Sequence, residues 1–147
     1  MKPQPFAELL QNPARAGTFA IGEDACEIAF RAAAEIGLKV CHIDISRAHD
    51  AASLLRLVGH ALHFPDWYGE NWDALADCLS DLSWCDAAGY VLLLHGSETI
   101  RVSDPPAFDM FLDILHEVTA IWREGAVAFW VLIDGPYEDL PRLTVQE

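Results

Sequence analysis

The sequence predicts an α/β fold, in which a small parallel β-sheet is flanked by helices. Short apolar segments alternate along the chain with segments that repeat apolar residues at helical spacing, and such alternation is typical of parallel sheets. The chain has 147 residues, 52% of them hydrophobic, which is enough to bury the core of one domain of ordinary size. Because no repeat, low-complexity tract or clear linker divides the sequence, we expect a single domain over residues 1–147.

The first 37 residues are expected to form an N-terminal β-α extension. Residues 2–17 predict a short helix or an irregular arm, and residues 18–21 predict a strand. Residues 23–37 predict an amphipathic helix that ends at Gly37, because glycine readily adopts the left-handed conformation found at many helix ends.

The core is expected over residues 38–133, and residues 134–147 are expected to be a polar tail. Ser46 or Asp50 is suited to cap the first helix of this core, because short polar side chains accept hydrogen bonds from the free N–H groups of a first turn. In order, the predicted elements are a strand over 38–45, a helix within 46–62, a helix over 71–82, a buried strand over 89–95, a helix within 104–125 and a buried strand over 126–133. The last two strands are continuous apolar runs, which favours strands covered on both faces.

The chain carries a formal net charge of −14 at pH 7, from 23 acidic and nine basic residues. A charge of this sign opposes binding to nucleic-acid phosphates and to anionic membranes, and it favours a cationic partner or ligand. We therefore expect neither nucleic acid nor a membrane as partner.

Four cysteines, Cys26, Cys41, Cys78 and Cys85, are spaced without a CxxC or CxxH pair. This spacing favours neither a zinc site nor a disulfide framework, so we expect reduced and mostly buried thiols. The N-terminal residues lack the apolar run of a signal peptide, and no stretch approaches the roughly 20 apolar residues needed to span a bilayer. We expect a cytoplasmic protein.

Residues 64–82 (FPDWYGENWDALADCLSDL) combine five carboxylates with large aromatic rings and contain no lysine or arginine. Pro65 and Gly69 interrupt regular structure on either side of Trp67 and Tyr68, so we expect those two rings on a shaped loop. Exposed aromatic rings of this kind are enriched at protein interfaces. The segment is therefore a candidate binding site for a basic surface.

The helix that follows this loop is expected to have one apolar and one acidic face. Asn71 is suited to the N-cap, and the helix dipole favours Asp73 in the first turn, but neither effect explains Asp77. The apolar face comprises Leu75, Leu79 and Leu82, flanked by Trp72 and Cys78; the other face comprises Asp73, Ala76, Asp77 and Ser80. Like charges one turn apart destabilise a helix, and no lysine or arginine lies between Arg56 and Arg101. A cation on a partner would relieve this repulsion; a solvated acidic face is the alternative.

Residues 64–82 resemble the signature of the barstar family, which are intracellular protein inhibitors of barnase-type ribonucleases. The shared pattern is a proline, an acid, two aromatic residues, Gly-Glu-Asn, then Asp-Ala-Leu, Asp-Cys-Leu and a small hydroxyl residue. The order of elements from about Leu38 to Ile133 also suits the family. The resemblance implies a three-layer α/β architecture and a helix and loop that enter the active site of a ribonuclease, where the acids take the places of RNA phosphates.

The resemblance also implies which residues contact the partner. Carried over one by one, they are Trp67, Tyr68, Gly69, Asn71, Asp73, Ala76, Asp77 and Ser80, with Asp77 at the position of the family's principal acid. Two positions depart from the family: Trp67 replaces a tyrosine, and Ala76 stands where the best-known member has tryptophan. A further acid on a later helix falls on Ala120, with Glu117 one turn earlier. A changed partner surface would accompany these departures.

The predicted function is that of an immunity or antitoxin protein, which blocks a basic, barnase-like ribonuclease without catalytic residues, metal or cofactor. The alternative is an adaptor of the same fold that binds another basic protein. A third class, an enzyme, would use Asp73 and Asp77 as general acid and base, but an open helix face offers no desolvation that would give two carboxylates different roles. The oligomeric state is not predicted.

Two further groups of residues bear on that third class. His60 and His63, with Asp66, could be metal ligands, but no fourth ligand is evident and such a histidine pair is more often structural. Ser97 has no GxSxG motif around it, and we expect no strand-to-helix turn there.

Overall fold

Four strands pair in parallel to form one sheet. The computed structural model describes residues 5–135, 137 and 140–143. The strands are β1 (Thr18–Ile21), β2 (Lys39–Asp44), β3 (Gly89–His95) and β4 (Ala128–Asp134), in the spatial order β1-β4-β3-β2. Thr18 pairs with Val131, Gly89 with Ala128, and Lys39 with Tyr90. The α/β class and the parallel sheet predicted from the sequence are confirmed.

Helices cover both faces of the sheet and make three layers. The helices are α1 (Pro5–Leu10), α2 (Glu23–Glu35), α3 (Ala51–Ala61), α4 (Trp72–Asp81), α5 (Ser97–Ser103) and α6 (Pro105–Glu124), with 3₁₀ turns at Pro13–Arg15 and Ser83–Cys85. One core cluster joins α3, α4, α5 and α6 to the sheet, and a second joins α1 and α2 to the opposite face.

The central strand β3 is buried on both faces. Leu92 and Leu94 belong to the cluster beneath α3, α4 and α6, whereas Val91 and Leu93 belong to the cluster beneath α1 and α2. Successive side chains of a strand point to opposite faces, so a strand covered on both sides needs apolar residues at every position. This explains the continuous apolar run of β3.

The first 37 residues supply one edge of the sheet and one of its covering layers. β1 lies beside β4, and Ala29 and Ala33 of α2 are buried against the sheet. Trp130 of β4 is fully buried, and its indole N–H donates a hydrogen bond to the carbonyl of Leu10 at 2.9 Å.

Part of the segment expected to be a polar tail packs beside β1. Leu140 and Leu143 are buried. The N–H of Ala20 donates to the carbonyl of Pro141 at 2.9 Å, and the N–H of Leu143 donates to the carbonyl of Ala20 at 2.8 Å. Residues 136, 138–139 and 144–147, which fall in the same segment, lie outside the described residues, as do residues 1–4 of the N-terminal arm.

Among the described residues, none of the helices has the length and apolar character that crossing a bilayer requires.

Candidate protein-binding site

A loop of residues 64–70, here called the aromatic loop, joins α3 to α4. α3 begins after Asp50, whose carboxylate accepts a hydrogen bond from the N–H of Ser53 at 2.8 Å. The chain turns at His63, just before the loop, and at Glu70, its last residue, where the φ angles are 54° and 52°. Within the loop, the N–H of Tyr68 donates to the carbonyl of Pro65 at 2.9 Å. These contacts give the loop a defined shape, as the positions of its proline and glycine predict.

Trp67 and Tyr68, two of the three aromatic residues of this loop, lie in different environments. Trp67 is 58% exposed. Tyr68 is half-buried, and its hydroxyl donates to the carbonyl of Leu55 in α3 at 2.8 Å. Its ring lies against Gly59, where an added Cβ would be 2.5 Å from Cε2. Burial raises the pKa of Tyr68, so the phenol stays protonated and continues to donate.

The Asn71 side chain starts α4 immediately after this loop. Its Oδ1 accepts a hydrogen bond from the N–H of Ala74 at 2.8 Å, which satisfies one of the free donors of the first turn. Leu75, Cys78 and Leu79 are buried against the core. α4 ends at Asp81, and a φ of 50° at the next residue, Leu82, stops the helix. The predicted N-cap and apolar face are therefore both observed.

The outward face of α4 is named here the acidic face and comprises Asp73, Ala76, Asp77 and Ser80. Asp73 and Asp77 are exposed, and Ala76 and Ser80 are half-buried. Within the described part of the chain, the ion pairs are Arg31 with Glu27, His49 with Asp50 and Arg101 with Glu98, and none of them includes a residue of α4. The carboxylates of the acidic face are thus not neutralised by any described side chain.

α6 packs against the buried side of α4. The indole N–H of Trp122 donates to the carbonyl of Leu79 at 2.8 Å, and the ring of Trp122 stacks on Phe129 of β4. On the same helix Ala120 is half-buried and Glu117 is exposed one turn earlier. The position that the resemblance implies for a further acid is an alanine, and the exposed Glu117 is the carboxylate one turn before it.

Two residues near this surface are absent from the sites predicted from the sequence. Asp81 is exposed and follows Asp77 by one helical turn, so its spacing in the sequence already indicated that it lies near the acidic face. Trp84 lies in the 3₁₀ turn after α4 and contacts Trp67, with ring centroids 6.2 Å apart. This contact joins residues 17 positions apart and leaves no periodic signal in the sequence.

The residues of the metal and serine alternatives lie near the end of α3 and at the start of α5. Among the described residues, no group of three or more His, Cys, Asp or Glu side chains is arranged to hold a metal ion, so His60, His63 and Asp66 do not form such a site. Ser97 does lie in a strand-to-helix turn between β3 and α5, and the expectation that no such turn exists there is wrong. Its hydroxyl is fully buried and donates a hydrogen bond to Asp134 at 2.8 Å.

The fold and this surface define an α/β domain that presents an acidic helix face next to an exposed indole ring. A family model described as Barstar (barnase inhibitor) matches residues 38–134. Because the match covers more than half of the chain, the protein belongs to the barstar family, and the resemblance found in residues 64–82 is confirmed. The family description names an inhibitor and no enzymatic activity. No curated protein sequence matches the chain.

Proposed function

We propose that this protein is an intracellular inhibitor that binds a basic, barnase-like ribonuclease and covers its active site with α4 and the aromatic loop. The observation that carries the proposal is the acidic face, whose exposed Asp73 and Asp77 lack a cation among the described residues and lie next to the exposed ring of Trp67. Inhibition of this kind is stoichiometric and involves no turnover.

The charge of the whole chain supports the same proposal. An enzyme that cleaves RNA needs cationic groups where the phosphates bind, and a protein with a net charge of −14 is attracted to such a surface over a long range. The same charge repels RNA itself. The inhibitor would therefore compete with the substrate and would not bind the substrate.

Each proposed contact residue has a role that its surroundings allow. Asp77 lies in the middle of the acidic face and would meet the cationic centre of the partner. Ala76 and Ser80 are small, so a partner could approach the helix backbone closely at their positions. Asn71 caps α4 with its carbonyl oxygen, and its amide group donates to the carbonyl of Gly69 at 3.5 Å, so the second N–H of that amide is available to a partner. Tyr68, whose hydroxyl is bonded to Leu55, would contribute the edge of its ring.

Trp67 and Gly69 complete the proposed contact set on the aromatic loop. Both are exposed, so the indole ring of Trp67 could cover the edge of the charged contact and exclude water from it. Gly69 has no side chain, and a Cβ there would lie 2.9 Å from the amide nitrogen of Asn71. A larger residue would therefore disturb the start of the acidic helix.

The proposal is tested by capturing partners from a native cell lysate with the full chain and with the double variant Asp77→Ala, Trp67→Ala. Asp109→Ala is a matched control, because Asp109 is an exposed carboxylate on α6 and does not belong to the proposed contact set. We expect the wild type and Asp109→Ala to capture a basic protein whose RNase activity appears after acid release, and the double variant to lose it.

Other outcomes of this capture decide against the proposal. A basic partner that is lost with the double variant but has no RNase activity would show an adaptor that uses the same surface. A ribonuclease captured equally by all three proteins would show that the contact lies elsewhere.

A further inference from the structure

The exposed ring of Trp67 needs support if it is to meet a partner in one orientation. A large side chain on a loop loses conformational freedom when it is fixed at an interface, and this loss opposes binding. A ring that is already held in the free protein avoids much of that cost. The neighbours of Trp67 therefore bear on how well the proposed surface binds.

Trp84 is the described ring that contacts Trp67. The two indole rings meet edge to face, with centroids 6.2 Å apart and an interplanar angle of 84°. Edge-to-face pairs of this geometry are favourable beyond the area they bury. Trp84 lies outside the aromatic loop, in the 3₁₀ turn Ser83–Cys85 that follows α4. The contact thus joins the turn after the acidic helix to the loop before it.

Trp84 is itself fixed to the rest of the fold. It is half-buried, and its indole N–H donates to the carbonyl of Leu62 at the end of α3, at 3.3 Å. Its ring also meets Phe64 edge to face, at 5.8 Å between centroids. Phe64 in turn meets Tyr68, which is bonded to Leu55 of α3. A chain of rings therefore connects Trp67 to the α3 backbone.

We propose that Trp84 is a positioning residue for partner binding, which acts by holding the ring of Trp67 at a fixed place relative to the acidic face. The turn that carries Trp84 begins shortly after α4, so contact with Trp84 fixes the position of Trp67 relative to Asp77. Trp84 itself touches neither the carboxylate nor the partner. This inference rests on the proposed function, since it assigns Trp84 a role in that same surface.

The first test needs no partner. In the full chain labelled with ¹⁵N, relaxation of the indole N–H of Trp67 reports the motion of its ring, and the signal is assigned as the one missing from Trp67→Ala. We expect faster motion in Trp84→Leu than in the wild type. The matched control is Trp122→Leu, which also removes a half-buried indole bonded to a backbone carbonyl but has no ring contact with Trp67 among the described residues. An equally rigid Trp67 in Trp84→Leu would overturn the proposal.

The second test is a double-mutant cycle on the complex with the captured partner. We expect Trp84→Leu to raise Kd about threefold to tenfold when Trp67 is present, which is the scale of ordering one large side chain. The same substitution should have almost no effect in the Trp67→Ala background, because the ring that it positions is gone. An equal effect in both backgrounds would show that Trp84 acts by direct contact or through general stability, and would refute the positioning role.

The two tests also separate this inference from the proposed function. If the wild type binds no partner, the proposed function fails, while the motion of Trp67 still decides whether Trp84 holds it. If Trp84→Leu does not fold, Trp84→Phe keeps an aromatic ring, loses the bond to Leu62 and is expected to give a smaller change of the same sign in both measurements. No change in either measurement with Trp84→Phe would then reject the proposal.

Discussion

The carboxylate of Asp134, at the end of β4, holds the buried Ser97 at the start of α5. Its Oδ1 accepts hydrogen bonds from the N–H and the hydroxyl of Ser97, at 3.1 and 2.8 Å, and its Oδ2 accepts from the N–H of Gly96 at 2.8 Å. The Ser97 hydroxyl also bonds to the hydroxyl of Tyr137. The carboxyl ends of β3 and β4 are therefore joined by a side chain as well as by their backbone pairing.

We expect Asp134→Ala to lower the free energy of unfolding by about 1–3 kcal/mol, because it leaves the backbone N–H groups of the half-buried Gly96 and the buried Ser97 without their acceptor. Glu98→Ala is the control, since Glu98 is an exposed carboxylate in the same helix and its ion pair with Arg101 lies at the surface. Urea unfolding of both variants measures the difference. Equal stabilities for the two would show that the contact to Ser97 contributes nothing.

Asp77→Ala is expected to weaken binding of the proposed ribonuclease more than any other single carboxylate substitution in α4. Removing one partner of a buried charged pair usually costs about 2–5 kcal/mol, because the other charge is left without a counterpart. Asp109→Ala, on α6, should leave Kd unchanged. Kd is measured by calorimetry or by titrating the inhibition of RNase activity. A larger loss with Asp73→Ala would move the centre of the interface toward the start of the helix.

Asp81→Asn is expected to stabilise the free protein by about 0.3–1 kcal/mol, because it removes a like-charge neighbour of Asp77 and a negative charge from the C-terminal end of α4. Asp73→Asn should give a smaller gain or a loss, since the helix dipole favours an acid in the first turn. Thermal unfolding at low and at high NaCl concentration measures the stability of both variants, and screening by salt should reduce their differences from the wild type. A loss of stability with Asp81→Asn would contradict the proposed repulsion.

Gly59→Ala is expected to destabilise the protein by about 1–2 kcal/mol. Alanine favours a helix over glycine by about 1 kcal/mol, but here its Cβ would lie 2.5 Å from the ring of Tyr68, and such overpacking costs about 1–3 kcal/mol. The ring cannot move freely because its hydroxyl is bonded to Leu55. Gly125→Ala is the control, since its Cβ would have ordinary contacts at 3.5 Å and beyond. Urea unfolding compares the two variants, and a stable Gly59→Ala would show that the aromatic loop adjusts easily.

His42 is expected to contribute a loss of stability as the pH drops below about 6.5, the ordinary pKa of histidine. Burial, together with the neighbouring His95, lowers the pKa of His42, and ring nitrogens of the two residues are 3.4 Å apart. The unfolded chain therefore binds protons more readily than the folded chain, and protonation favours unfolding. His42→Gln should reduce this pH dependence in urea unfolding at a series of pH values. His116→Gln is the control, and an equal reduction by both variants would contradict the role of the His42–His95 pair.

The elements that could be predicted from the sequence are those that local patterns determine. β3 runs from Gly89 to His95, as the apolar run predicted, and α4 starts after Asn71 because that side chain satisfies a donor within its own first turn. In both cases the residues that decide the structure are close together in the chain. The separation of α4 into a buried and an acidic face follows from its own periodicity in the same way.

The features that the sequence did not reveal depend on distant residues. α5 has seven residues, and the carboxylate that holds its first turn comes from Asp134 on another strand. Tyr68 is half-buried because Gly59, nine residues earlier in the chain, leaves room for its ring. The contact of Trp84 with Trp67 depends on the path of the chain after α4. Such pairs become visible only when the fold brings them together.

The position of β1 at the edge of the sheet has a consequence for synthesis on the ribosome. β1 is made early, but its partner β4 is the last of the four strands to leave the ribosome. The pairs β2·β3 and β3·β4 join strands that follow one another in the chain, so β1 must wait while the other three are made. Unpaired apolar strands are exposed to aggregation during this interval. Because β1 has only four residues, the strand edge that stays unpaired during this interval is short.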